Sequence, residues 1–188
     1  MPTPENERTS AMDERLNEIY AMLQNHDQAD RAIQAIAILS DEATADWLPV
    51  LHEWMSRPED SFVREAAAEA VAALEGARCL PRLLNVVRLG RFEGHDNDGL
   101  NHLIIEVLES APLDALPYLL EMATSTSEDV RSDAAWLLGF LWQSVDPSVL
   151  ISLASEASAR VRRSACAALG SFKNVAGVYD CLAARLLD

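Results

Sequence analysis

The chain has 188 residues, 49% of them apolar and only 6% aromatic, with a formal charge of −15. That length fits one domain or one short repeat array, and the alanine-rich, aromatic-poor composition favours closely packed helices over a β-sandwich. The negative field repels phosphate backbones and anionic lipid heads, which argues against nucleic-acid and membrane partners and for a basic protein partner. The acids are spread evenly, 17 against 9 bases in residues 1–94 and 13 against 6 in residues 95–188. Cys79, Cys166 and Cys181 are odd in number and form no C-x-x-C, so neither a disulfide framework nor a thiolate metal site is expected and a reducing, cytoplasmic setting fits.

In chain order, "MPTPENERTS" is polar and lacks an apolar signal core, so residues 1–10 read as a flexible tail and 11–188 as a single domain. "DERLNEIYAMLQ" is the first amphipathic stretch. After Asp27, the residues Ala35, Ala37 and Ile38 sketch a second helix, although Asp30 and Gln34 occupy two of its apolar slots. "ADWLPVLHEWM" follows, with Pro49 expected in a first helical turn, where no N–H is needed. Then comes "DSFVREAAAEAVAAL". Aligned on Val63, its apolar residues Ala67, Ala68, Ala70 and Val71 fall four, five, seven and eight places later, one face of an α-helix. Asp60, three residues before Val63, has the side-chain oxygen of an N-cap. "RCLPRLLNVVRL" carries Pro81 in the same role.

The long connection "RLGRFEGHDNDGLN" comes next, and a loop presenting Phe92 is expected there. Asn97 then caps a helix with Leu100, Ile104, Ile105, Val107 and Leu108. "DALPYLLEMA" places Leu116-Pro117 where Leu48-Pro49 and Leu80-Pro81 stood before. "EDVRSDAAWLLGFL" and "SARVRRSACAALGSF" repeat the capped helix, with Ser127 and Ser158 as caps. "DPSVLISLASEA" lies between them and "VAGVYDCLAARLL" closes the chain. The expected caps at 27, 60, 97, 127 and 158 are spaced by 33, 37, 30 and 31. The chain thus reads as eleven helices, five pairs and a closing helix.

The unit "ALPYLLEMATSTSEDVRSDAAWLLGFL" resembles a HEAT repeat of the bacterial type also found in phycobilin lyases. The resemblance covers about residues 12–188 and is carried most clearly by the second, fourth and fifth units. It implies an all-α fold, a right-handed α-solenoid of about five helix pairs plus the closing helix, with second helices lining a concave face. It also implies that Arg64, Arg131 and Arg162 pair with acids of adjacent repeats.

No catalytic constellation stands out, and no cofactor is expected. One enzyme class of HEAT-like repeats, deoxyhypusine hydroxylase, ligates iron through several His-Glu dipeptides; here only His52-Glu53 occurs, too few for a di-iron site. The basic islands, Arg78, Arg82, Arg88 and Arg91, then Arg160, Arg162, Arg163 and Lys173, are small beside the surrounding acid. The informative positions lie on the second helices, off the apolar stripe. Two places after each reference residue stand Glu65, His102, Ser132 and Arg163; six places after it stand Glu69, Glu106, Trp136 and Ala167. With Glu109 and Asp133 they are expected to form an acidic surface bearing a tryptophan, a pairing suited to steering and then gripping a protein. The candidate partner-binding residues are therefore Glu65, Glu69, Phe92, His102, Glu106, Glu109, Asp133 and Trp136. The function expected is non-catalytic binding of a basic protein, of the immunity or antitoxin kind, with a phycobilin-lyase-like subunit as the alternative and a metal-dependent hydroxylase behind it.

Overall fold

The computed structural model describes residues 4–25, 27–57, 60–172 and 175–185; His26 and Lys173 lie outside the described residues. Every regular element among them is helical: α1 (Pro4–Leu23), α2 (Ala29–Glu42), α3 (Leu48–Met55), α4 (Ser61–Glu75), α5 (Leu80–Glu93), α6 (Asp98–Ser110), α7 (Pro112–Ala123), α8 (Glu128–Leu138), α9 (Pro147–Leu153), α10 (Ala159–Leu169) and α11 (Val178–Arg185). Short 3-10 turns, Ala45–Trp47 and Gly76–Cys79, lead into α3 and α5. The helix α1 starts at Pro4, inside the segment expected to be a tail. The chain divides into two compact units, Met1–Ile104 and Ile105–Asp188, the division falling inside α6.

The helix starts follow from local chemistry. Asp60 accepts a hydrogen bond from the Val63 backbone N–H at 3.1 Å, and Ser158 accepts one from Val161 N–H at 3.4 Å, each satisfying a donor that the first turn leaves orphaned. Ser127 is the N-cap of α8 but its side chain makes no cap bond. The first unit corrects the sequence reading by one residue: the N-cap of α2 is Gln28, not Asp27. Moving the frame makes its stripe Ala35, Ile36, Ile38 and Leu39, and removes Asp30 and Gln34 from apolar slots. The first spacing becomes 32. Pro49 and Pro81 occupy the first turns of α3 and α5. Pro117 does not play that role, because α7 opens earlier, at Pro112, and Pro117 lies inside it.

In the first unit, Leu16, Ile19 and Leu23 of α1 are buried with Leu51 and Trp54 of α3 and Val63, Ala67 and Val71 of α4. Burying one such leucine or isoleucine contributes about 1.5–3 kcal/mol. The Tyr20 and Trp54 rings lie 5.2 Å apart, and the Arg57 guanidinium sits 4.8 Å from the Tyr20 centroid. In the second unit Leu119, Ala134, Ala135, Leu137, Leu150, Val161 and Ala165 are all buried. Small residues set the spacing there: a Cβ at Gly139 would stand 2.9 Å from the Ala168 Cβ and 3.0 Å from its Cα. Any side chain larger than hydrogen at 139 would push α10 away.

The arginines tie repeats together. In the first unit Arg64, almost fully buried, donates to the Arg57 carbonyl at 2.8 Å and pairs with Glu93 at the end of α5. In the second, Arg131 donates to the Ser125 and Thr126 carbonyls at 2.8 and 3.1 Å and holds Glu156, beyond α9, at 2.8 Å. Arg162 repeats the backward half of the pattern, donating to the Glu156 and Ala157 carbonyls at 3.0 and 2.8 Å. Each of these arginines closes the turn before its own helix. Arg64 and Arg131 also grip an acid of the following repeat, as the resemblance implied.

Candidate functional site

The positions six places after each reference residue all reach solvent at least in part. Glu69, Glu106 and Ala167 are exposed, Trp136 is half-buried, and in the corrected frame Ala37 of α2 joins them as exposed. His102 and Glu109 of α6 are exposed as well. These side chains reach solvent because the stripe on the opposite side of each second helix is spent on neighbours.

Two expectations fail here. Asp133 is 6% exposed and Ser132 4%, so neither belongs to an open acidic surface. For Ser132 the reason is the close approach of α8 and α10. Ser132 Oγ lies 2.9 Å from Ser164 Oγ, and the glycine contact described above leaves no gap on that side. Phe92 is 90% exposed, but it stands in the last turn of α5 rather than on a loop. The helix ends at Gly94, in a left-handed conformation (φ 81°) that a glycine adopts without strain, and His95 N–H returns to the Gly90 carbonyl at 2.8 Å. Gly90 is needed for a second reason, since a Cβ there would collide with the Asn97 side chain.

Aromatic surface in the second unit is wider than the sequence suggested. Trp136 meets Phe140 edge to face, with ring centroids 5.5 Å apart and planes at 89°. Phe140 is 44% exposed and Trp142 47%. Both follow the end of α8 at Leu138, in a run of turns, so Trp142 is not on the same helix as Trp136. Phe140 was missed because the helix was read on to Leu141. The signal available was Gly139, a helix-ending residue in the middle of that stretch.

The acids of the first unit have a distinctive setting. Burial pushes the Glu65 carboxyl above its ordinary range, and the nearby charges of Glu69 and Asp96 push the same way, against the pull of His95 and Arg64. Between α2 and α4 lies a pocket of about 50 Å³ walled by Ile36, Leu39, Ala66, Ala70 and Ala73, with Glu69 on its lining. Ile36 escaped the sequence reading because the frame was one residue off. His52 lies 3.1 Å from Glu75, whose other oxygen is 3.4 Å from Arg82; it is engaged across α3, α4 and α5 rather than with its neighbour Glu53. Among the described residues, no three His, Cys, Asp or Glu side chains are grouped so as to hold a metal ion. No helix among them is long and apolar enough to cross a membrane.

The family model for HEAT repeats matches residues 88–170 and 116–188, and the chain belongs to that family. Its all-helical fold is of the α-solenoid class. A solved structure from work entitled "Structural Basis of Microtubule Plus End Tracking by XMAP215, CLIP-170 and EB1" is similar with a TM-score of 0.56, over 89% of this chain and 88% of that one. The identity is 13%, so the likeness is one of fold. No curated protein matches in sequence.

Proposed function

We propose that this chain is a non-catalytic binding protein of the cytoplasm that recognises a basic protein through the exposed positions of its second helices. The single observation that carries the reading is the exposure of Glu69 and Glu106 at equal offsets on α4 and α6, with Trp136 at the same offset on α8 and Phe140 against its ring just beyond that helix. Acids that reach water steer a cationic partner, and a half-buried indole supplies contact area at small entropic cost. A family whose members commonly act as interaction scaffolds supports this, and a charge of −15 favours a stoichiometric inhibitor of the immunity or antitoxin type. The alternative subunit role, with repeats of the phycobilin-lyase kind, draws less support. The pocket of about 50 Å³ in the first unit is well below the ~300–1,000 Å³ of sites for organic ligands of drug size.

The test begins with capture and identification of the partner, then compares association and dissociation rates at two ionic strengths. Glu69→Lys with Glu106→Lys is expected to slow association and flatten its salt dependence. Trp136→Ala is expected to speed dissociation, with a loss of about 2 kcal/mol or more. Unchanged rates and an unchanged salt effect in the lysine variant would remove the acidic positions from the interface. A tetrapyrrole absorbance shift on mixing would favour the alternative.

A further inference from the structure

We infer that the pocket between α2 and α4 is a subsite for one arginine or lysine side chain of the partner. This deepens the reading of a basic partner and rests on it. The pocket's walls are mostly alkyl, from Ile36 and Leu39 on α2 and Ala66, Ala70 and Ala73 on α4, and its two polar residues are Ser40 and the carboxylate-bearing Glu69. At about 50 Å³ it is well below the ~150 Å³ of a cavity that takes up a benzene ring. An aromatic ring does not fit such a space; a short length of unbranched alkyl stem does. A stem that must end in charge is what lysine and arginine supply, burying their methylenes against apolar surface while the head stays at a polar edge.

The charges around the pocket select the sign of that head. Glu69 lines it, and Glu65, four residues earlier on the same helix, has its ionised form disfavoured by burial and by Glu69 and Asp96. A guanidinium or ammonium seated beside Glu69 relieves this repulsion; a neutral or acidic side chain does not. The α2 side adds Ile33, 65% exposed one turn before Ala37, as apolar ground for the residues flanking the inserted one. The groups facing Glu65 include His95 and Arg64, whose pull is already insufficient to hold it in its ordinary range.

The probe is the peptide acetyl-Gly-Arg-Gly-amide, with norleucine in place of arginine as control, titrated at millimolar concentration into the full chain. The readouts are the Ile36 δ1 methyl signal, the Glu69 carboxyl carbon and the titration midpoint of Glu65. The expected result is saturable movement of Ile36 and Glu69 by the arginine peptide and a downward shift of the Glu65 midpoint, with no Glu69 response to norleucine. Glu69→Gln is expected to weaken binding at least about fivefold, near 1 kcal/mol. Ala73→Leu fills the pocket from an exposed position, so the fold tolerates it, and it is expected to abolish the Ile36 response. Saturable movement at Trp136 with none at Ile36 overturns the subsite and leaves the basic-partner reading standing. An equal response to norleucine overturns it too, since the cation is then not what is recognised. Failure of the basic-partner reading shows separately, in the salt dependence of the partner's rates.

Discussion

Replacing Arg64 with methionine isolates what the buried arginines contribute. Arg64 is 1% exposed, and its guanidinium donates to the Arg57 carbonyl and pairs with the Glu93 carboxylate. Methionine keeps most of the stem's packing and removes both donors. A hydrogen bond to a charged group contributes about 1.5–3 kcal/mol, and leaving one partner of a buried ion pair behind costs about 3–5 kcal/mol. Glu93 is 21% exposed, so it regains part of its hydration and the lower figures apply. A loss of about 2–3 kcal/mol is expected. Denaturant melts of Arg64→Met, Glu93→Gln and the double variant form the cycle, and the coupling between the two sites should exceed about 1 kcal/mol. A single variant within about 0.5 kcal/mol of the parent, the range of ordinary surface changes, would refute the view that this arginine fastens α4 to the end of α5.

Ala134→Leu or Ala165→Leu should cost about 1–3 kcal/mol by overpacking a face that is fully buried, read as a lowered melting midpoint. Glu65→Gln should raise the melting temperature at neutral pH. The folded protein holds the Glu65 proton more tightly than the unfolded chain does, so its ionisation opposes folding above the raised pKa and this opposition is absent below the ordinary one; the advantage of glutamine should therefore fade as the pH falls through the carboxylate range. A constant advantage across that range would show that charge is not its cause. Burial pushes the Cys79 thiol up to about 12, so a thiol reagent at neutral pH should label half-buried Cys166 and Cys181 well before Cys79, which should react only on unfolding; mass spectrometry of the labelled peptides checks the order.

Most of the architecture was legible because it rests on local signals. Asp60 and Ser158 cap helices on their own chemistry, and the small-residue stripes need only a period of 3.6 to be seen. The first repeat slipped by one residue because Gln28, a weak capping type, stands beside Asp27, a strong one, and the apolar stripe was fitted to the better cap. Pro117 misled for a related reason: a Leu-Pro pair marks a helix start only where the helix has not already begun. The candidate surface was less legible. Glu69, Glu106 and Trp136 follow from helical offset alone, whereas the burial of Ser132 depends on how closely α10 approaches α8, which is decided by Ser164, Ala168 and Gly139 together and by no pattern within one helix. Phe140 and Ile36 depended on helix boundaries, which periodicity places only to within a residue or two.

The placement of the arginine ties bears on how such a chain can grow. Arg64 reaches back to its own turn and forward to Glu93, and Arg131 does the same with Glu156. Each such stretch of about 30 residues thus holds a hook for the stretch that follows, and Glu156 shows that the stretch that follows brings its own eye. The fifth repeat holds both parts, Glu156 as the eye for the arginine before it and Arg162 at the hook position, so a tandem copy of that segment would arrive with both. The corresponding place in the third repeat is Asn101, which has no charge to pass on. A copy made from that segment would bring an eye, Glu93, but no hook, so it would receive the tie from the repeat before it and pass none to the repeat after.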